Sequence, residues 1–390
     1  MTCLSRHRLR RGVPTQQLSL GADELPDEPL GAAARSTKRA KQAIARLLPD
    51  FSLEDTRHGR PVSAPHRHDR PRHDGVWHSQ NSRACLPSRR PSSAVAGADE
   101  AFAAEHGYAK ATTDLASMLA DPAIDAVVVA SPSEAHVEHC LAVLAAGKHV
   151  LLEIPIAMDL AGAERVAAAA AASDRVVAVC HPWRHRPEMV AVKARLDAGE
   201  ERLGMVEGRF IIHRLENIGS TGYRRSWTDN ILWHHGAHLI DLACWMMDGY
   251  DEVTGYMAPV DPRTGIPMTT EITLARKDGV SAHLLLTYLS RIRQNDGTVL
   301  TDRDGYQVDI TNARFLTAAG WKDIDAEAVV CRYVLEDFVA ACRERRRPRA
   351  TPADVMPAMR AMQVLQDAWD ARYGVQSLPG RELARLGQGR

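Results

Sequence analysis

From about Ala96 the chain alternates short, uninterrupted apolar runs with helical stretches, and that alternation constrains its fold more than any other feature. The run Asp125–Ser131 (DAVVVAS) has no polar break, which is how a strand buried on both faces of a parallel sheet reads. A helix follows, starting near Ser133 and stopped by Gly147, and then the short strand HVLLE. Asp159 caps another helix through AGAERVAAAAAAS, and RVVAVCH makes a third strand ending at His181. A helix in ADEAFAAEHG, ended by Gly107, precedes the first of these strands. Strand and helix at this spacing give βαβ units and a Rossmann-like, doubly wound parallel sheet over residues 94–181.

After His181 the period changes. A helix over Pro187–Ala198 leads into GMVEGRFIIHR, TTEITLARK and VSAHLLLTYLS, whose alternation suits a mostly antiparallel sheet with one solvated face. Asn230–Met247 reads as a helix lying between the first two of these segments, and helices over Ala326–Arg345 and Pro352–Tyr373 close the pattern. Residues 182–380 therefore form an α+β domain, with a polar tail over 381–390.

The amino-terminal 93 residues do not share this regularity. A short helix fits Ser36–Leu48, but Arg57–Ser93 is dense in Arg, Pro, His and Ser with no apolar period, so irregular or disordered chain is expected there. A complete Rossmann domain opens with a strand and a G-x-G-x-x-G turn whose backbone cradles a pyrophosphate. That motif occurs nowhere in the chain. The abrupt change of composition near Ala94 reads as a shifted reading frame upstream. An intact glycine turn in another frame of the locus would support this, and its absence from all frames would sink it.

The 49 basic and 49 acidic residues cancel, so nothing favours nucleic acid or an anionic membrane as partner, and a small molecule is the default ligand. Seven scattered cysteines without a C-x-x-C pair suit a reducing, cytoplasmic compartment. The longest apolar runs are too short to span a bilayer, and the amino terminus lacks the apolar core of a signal peptide.

Three clusters carry candidate chemistry. In RRSWTDNILWHHGAHLIDLACWMM, helical spacing places His234, His238 and Asp241 on one face, with His235, Arg225 and Asp229 nearby. One helical histidine is usually structural; six titratable groups in one segment point to a site. Two histidines four apart could grip zinc, but the glutamate of H-E-x-x-H is missing and no third ligand stands out, so no metal site is assigned. In VCHPWRHRPEM a strand ends and His181, Arg184, His185 and Arg186 arrive together, either as a solvated basic turn or as a site where Arg184 holds a carboxylate. In VVVASPSEAHVEH, Ser131 and Pro132 close a strand before a helix that also carries His136, and the helix start could meet a phosphate or ribose. The neighbouring strand ends at Glu153, Ile154 and Pro155, where Glu153 could accept from sugar hydroxyls. These six residues are the candidate cofactor contacts.

The order DAVVVASPSEAHVEHCLAVLAAGKHVLLEIP, a strand ending at His181, then HHGAHLIDL resembles the glucose-fructose oxidoreductase/inositol dehydrogenase (Gfo/Idh/MocA) family over roughly Ala96–Tyr373. Its usual pattern has a catalytic lysine where Ile154 stands and an aspartate where His234 stands, while His238 matches the family histidine. The departures resemble a sub-group, the 4-carboxy-2-hydroxymuconate-6-semialdehyde dehydrogenases of aromatic breakdown, through EIP at Glu153–Pro155, RSWTD at Arg225–Asp229 and WHHGAH at Trp233–His238. The resemblance implies NADP- or NAD-dependent oxidation of a cyclic hemiacetal dicarboxylate. It gives His238 as base, His234 or His235 as orienting it or binding the ring oxygen, and Arg184 and Arg225, with His181 and Asp241, as substrate contacts. It also implies a homo-oligomer formed through the carboxyl-terminal sheet. A sugar or polyol dehydrogenase, and a cofactor-less binding protein, are the alternative readings.

Overall fold

The computed structural model describes residues 112, 114–218, 224–225, 229–324 and 327–374. The expected helices at 36–48 and in ADEAFAAEHG, the irregular stretch 57–93 and the tail after 380 lie outside these residues.

A short helix α1 (Leu115–Ala120), which the sequence pattern did not suggest, leads into β1 (Ala126–Val129). Then follow α2 (His136–Ala145), β2 (His149–Leu152), α3 (Leu160–Ala172) and β3 (Val177–Val179), and the strands pair in parallel in the order β1-β2-β3. The apolar runs are explained by burial on both sides. Val127, Val129, Val150 and Leu152 pack with Cys140 and Val143 of α2 and with Ala163 and Val166 of α3. Val128, Leu151 and Ala178 face the other way, against Val334, Leu335 and Phe338 of α6 (Glu327–Glu344). Fully burying a leucine such as Leu151 contributes about 1.5–3 kcal/mol, so a polar interruption in these strands would be costly on either face. The predicted stops hold: Asp159 Oδ1 accepts from the Gly162 N–H at 2.6 Å, and Gly147 takes φ +71° just after α2.

The second part adds α4 (Pro187–Asp197), β4 (Leu203–His213), the two-residue strands β5 (Asn217–Ile218) and β6 (Arg224–Arg225), and α5 (Ala237–Met247). After these come β7 (Glu252–Met257), β8 (Thr269–Ala275), β9 (Ser281–Thr287), β10 (Leu289–Thr301), β11 (Gly305–Asp309), β12 (Arg314–Thr317) and β13 (Gly320–Asp323), and α7 (Pro352–Tyr373) ends the described chain. One sheet runs β13-β12-β11-β10-β4-β9-β8-β7, antiparallel except where β4 meets β9. Alternate residues of β8 and β9 are buried, as their pattern predicts.

Helix α5 lies on the buried face of this sheet because two glycines make room for it. Gly208 of β4 and Gly297 of β10 stand directly opposite one another. A Cβ on Gly297 would come within 2.7 Å of Leu242 and 3.0 Å of Trp183, and one on Gly208 within 3.2 Å of Leu239. Leu239 and Leu242 both belong to α5, so this glycine pair sets how closely the histidine-bearing helix approaches the sheet.

Candidate active site

The candidate residues converge where the carboxyl ends of β1, β2 and β3 meet the amino end of α5. That end of the helix is modified: Leu232–Gly236 forms a π-helical turn before α5 begins. Asn230 caps the turn, its Oδ1 accepting from the N–H groups of Leu232 and Trp233 at 2.9 and 3.2 Å. The Asn230 amide donates in turn to Gln366 of α7, which also accepts from the Trp233 indole at 3.0 Å. A widened turn held from two sides is a common device for presenting functional side chains.

His234, His238 and Asp241 share a stripe as the spacing predicts, but the stripe descends from crevice to core. The His234 side chain is 25% exposed, His238 is half-buried and Asp241 is sealed. Each meets different partners.

At the outer end, His234 Nδ1 lies 3.1 Å from Asp229 Oδ2, and the same oxygen accepts from Ser133 Oγ at 2.9 Å. A carboxylate only accepts, so the hydrogen of this contact sits on Nδ1, and Nε2 is left for other contacts. Arg214 Nη1 lies 3.5 Å from that Nε2. Ser133 opens the 3₁₀ turn after β1, so this chain of contacts ties the Rossmann part to the histidine turn.

In the middle, the His238 and His181 rings meet edge-on, 6.0 Å between centroids. Burial, and then His181, hold the His238 pKa down at about 4 against the pull of Glu153. Burial likewise brings His181 to about 4, opposed by Asp241. Both imidazoles are neutral near pH 7 and keep a lone pair. His238 Nδ1 is buried and has no hydrogen-bond partner within the described residues.

At the inner end, Asp241 is gripped by Arg184 through two parallel bonds of 2.8 Å, and Arg184 also donates to the Asp354 carbonyl at 3.1 Å. Burial pushes the Asp241 carboxyl up, but Arg184 and His181 outweigh it and hold it below the usual carboxylate range.

This geometry corrects several expectations. Arg184, with its fork closed on Asp241, is placed to anchor α5, not to take a substrate carboxylate, and Asp241 is equally occupied. The basic turn after β3 is not solvated: His181, Arg184, His185 and Arg186 are all buried, with His185 held by the His181 carbonyl and by Asp337. His235 does not orient His238; its ring stacks on Phe210 at 3.7 Å and its Nδ1 meets the buried Tyr288 hydroxyl at 2.5 Å. His136 is buried, both ring nitrogens against backbone carbonyls of Ser131 and Pro155 at 2.9 and 2.7 Å, so it clasps the two strand ends together and offers no group to a cofactor. The side chain of Arg225 lies outside the described residues.

Of the expected dinucleotide contacts, the turn at Ser131 and Pro132 and the strand end Glu153–Pro155, whose Ile154–Pro155 peptide is cis, are left as candidates. Glu153 Oε2 accepts from the Ile154 N–H at 3.1 Å, and its charge is felt by both His181 and His238. The unpartnered His238 nitrogen and the converging strand ends fit the nicotinamide half of such a cofactor. Among the described residues no group of three or more His, Cys, Asp or Glu could hold a metal ion, and no helix is long and apolar enough to cross a membrane. Sequence reasoning missed the roles of Ser133, Arg214 and Tyr288; nothing in the local pattern links them to histidines distant in the chain.

Comparison with known proteins agrees with this architecture. Residues 56–181 match the oxidoreductase family with an NAD-binding Rossmann fold (GFO_IDH_MocA), and residues 187–303 match the bacterial oxidoreductase C-terminal domain. The first match thus begins upstream of Ala94. A 4-carboxy-2-hydroxymuconate-6-semialdehyde dehydrogenase from Sphingobium sp. is 31% identical over 275 residues, covering 68% of this chain and 85% of that protein. Inositol 2-dehydrogenase 2 of Saccharopolyspora erythraea is 34% identical over 179 residues, 44% of this chain and 50% of its own length. A levoglucosan dehydrogenase solved with NADH and levoglucosan superposes with a TM-score of 0.65 at 15% identity, over 76% of this chain and 93% of its own.

Proposed function

The chain belongs to the Gfo/Idh/MocA family of NAD(P)-dependent oxidoreductases, and on that premise we propose that it oxidises a ring-closed hemiacetal dicarboxylate, the lactol of 4-carboxy-2-hydroxymuconate-6-semialdehyde, to the pyrone lactone. The observation that carries this reading is the histidine stripe itself. The sequence has isoleucine, Ile154, where the family pattern has its lysine, and in place of an amine the crevice offers neutral imidazoles. A lactol hydroxyl needs a base that is unprotonated near neutral pH; an imidazole held at about 4 is a weak one, so its proton leaves in concert with hydride loss from the same carbon.

In the proposed reaction the C–H of the hemiacetal carbon breaks and the O–H proton leaves to His238, so that carbon is oxidised to the lactone carbonyl. The nicotinamide, when bound, supplies the hydride acceptor. His238 stays neutral because burial and His181 disfavour its charged form, so it enters each turnover with its lone pair available. His234, fixed by Asp229 and Ser133, lines the outer side of the same crevice and positions the ring. The relative with the matching name supports this substrate; the inositol dehydrogenase relatives favour a polyol as the second reading.

NADP and NAD reduction by the purified chain, with the lactol and with inositol or glucose, tests the proposal. Reduction with the lactol alone is expected, and reduction with the polyols alone would overturn it. H238A should lower turnover by about 10²–10⁴ with little change in cofactor affinity; unchanged turnover removes His238 from the base role. A folded chain that binds neither cofactor in calorimetry would instead be a binding protein. The exposed Leu289 and Ile292 of β10 suit association through the carboxyl-terminal sheet, and I292D should then yield a smaller species in sedimentation velocity.

A further inference from the structure

A dicarboxylate substrate needs a cation in the crevice, and Arg184 cannot serve because its guanidinium is closed on Asp241. The fold brings another arginine to the histidines. Arg214 immediately follows β4, and its N–H donates to the Tyr288 carbonyl at 2.9 Å, which fixes the end of that strand against the residue after β9. Its Nη2 donates to Asn217 Oδ1 at 2.6 Å, its guanidinium carbon lies 5.9 Å from the centre of the Tyr288 ring, and its Nη1 lies 3.5 Å from His234 Nε2. Tyr288 is itself fixed by His235, so the arginine rests on a buried, hydrogen-bonded platform.

We infer that Arg214 is the specificity-determining cation of the site, holding a substrate carboxylate beside His234 and so selecting acidic ring-closed substrates over neutral sugars and polyols. Three observations converge on it. The side chain is half-buried, so its charge is less screened than that of a surface arginine. It is oriented by an amide oxygen and an aromatic face, contacts that set the plane of the fork. It adjoins the one histidine of the stripe whose other nitrogen is already committed to a carboxylate, Asp229. A guanidinium with five N–H donors in a fixed plane matches a carboxylate in a way an ammonium does not. This inference rests on the lactol reading only for the identity of the substrate; the assignment of a carboxylate subsite stands on geometry.

The test separates the two. Binding of isophthalate, a ring dicarboxylate, to the full-length protein is measured by calorimetry for the wild type, R214M and R214K, with myo-inositol as the neutral control. R214M should bind isophthalate about 10- to 100-fold more weakly, the usual loss for a charge-assisted bond. R214K should recover only part of that loss, and circular dichroism confirms that each variant is folded. Equal binding by wild type and R214M, or no isophthalate binding by the wild type, overturns the assignment. If R214M loses isophthalate while the wild type fails to oxidise the lactol, the Arg214 assignment stands and the proposed reaction falls.

Discussion

Two neutral imidazoles packed 6.0 Å apart in the interior should make the protein sensitive to acid well above the range where carboxylates protonate. His181 and His238 each have their pKa lowered from 6.5 to about 4, chiefly by burial. The titratable and charged groups facing them are Asp241, Arg184, Glu153 and His185 around His181, and Glu153, His234 and Asp241 around His238. The unfolded chain takes up these protons near pH 6.5, whereas the folded chain resists until about pH 4. The folded state is therefore fully favoured above pH 6.5 and loses stability as pH falls from 6.5 to 4, with no further loss from these groups below that. At about 1.36 kcal/mol per pKa unit the loss is roughly 3 kcal/mol for each histidine, or ~6 kcal/mol together, against a typical total of about 5–15 kcal/mol. His149, also lowered by burial and by Arg175, adds to the same slope. Asp337 acts in a separate window. Burial pushes its carboxyl up, but His185, the Arg349 N–H and Arg346 prevail and hold it at about 2, so its contribution is lost only as pH falls from about 3.8 to 2. Urea denaturation followed by tryptophan fluorescence at pH 7.5, 6.5, 5.5 and 4.5 measures the slope. H181N and H238N should each remove a little under half of it, and a double variant that kept the full slope would refute the reasoning.

Three further perturbations test the site's construction. R184M leaves the sealed Asp241 carboxylate without its fork and should cost about 3–5 kcal/mol in chemical denaturation, whereas a surface pair such as Arg165 with Glu138 should cost less than about 1 kcal/mol on the same change. D229N removes the charge that fixes His234 and should lower kcat by roughly tenfold or more with cofactor affinity unchanged; a change confined to cofactor affinity would place Asp229 elsewhere in the mechanism. G297A forces a methyl group against Leu242 and Trp183 and should destabilise by about 1–3 kcal/mol while displacing α5, so kcat should fall along with the unfolding midpoint.

The α/β half was legible because its strands are buried on both faces: Val127, Val128 and Val129 serve two different packing layers, so no polar residue interrupts the run. The helix limits at Asp159 and Gly147 were legible because a cap and a left-handed turn each admit few residue types. The carboxyl-terminal sheet was read only in part. Strand β10 carries Arg291, Arg293 and Asp296 along one long, half-solvated element, and its period is masked by the charges it shows to water and to Arg209. Ion pairs over long separations were illegible altogether. Nothing in a basic turn after β3 announces that Arg184 will close on Asp241, 57 residues later, and the turn reads equally as solvated or as a carboxylate site until the pairing is seen.

The histidine stripe separates what helical spacing carries from what it omits. Helical spacing fixes direction, and it correctly put His234, His238 and Asp241 on one side. It carries no information on depth, and depth decides the chemistry. At the rim His234 has room for a carboxylate on one nitrogen and Arg214 on the other. One turn further in, burial keeps His238 neutral, and a turn beyond that Asp241 is so enclosed that only a full guanidinium fork satisfies it. The π turn at Leu232–Gly236 and the glycine pair Gly208 and Gly297 set that descent, since one governs the entry of the helix and the other how closely it lies on the sheet. If the descent is what differentiates the three residues, moving the helix must change them in a fixed order. A bulkier residue at Gly297 should expose Asp241 and relax the acid slope of His238 before it disturbs the Asp229–His234 contact, whose partners are held from the Rossmann side by Ser133.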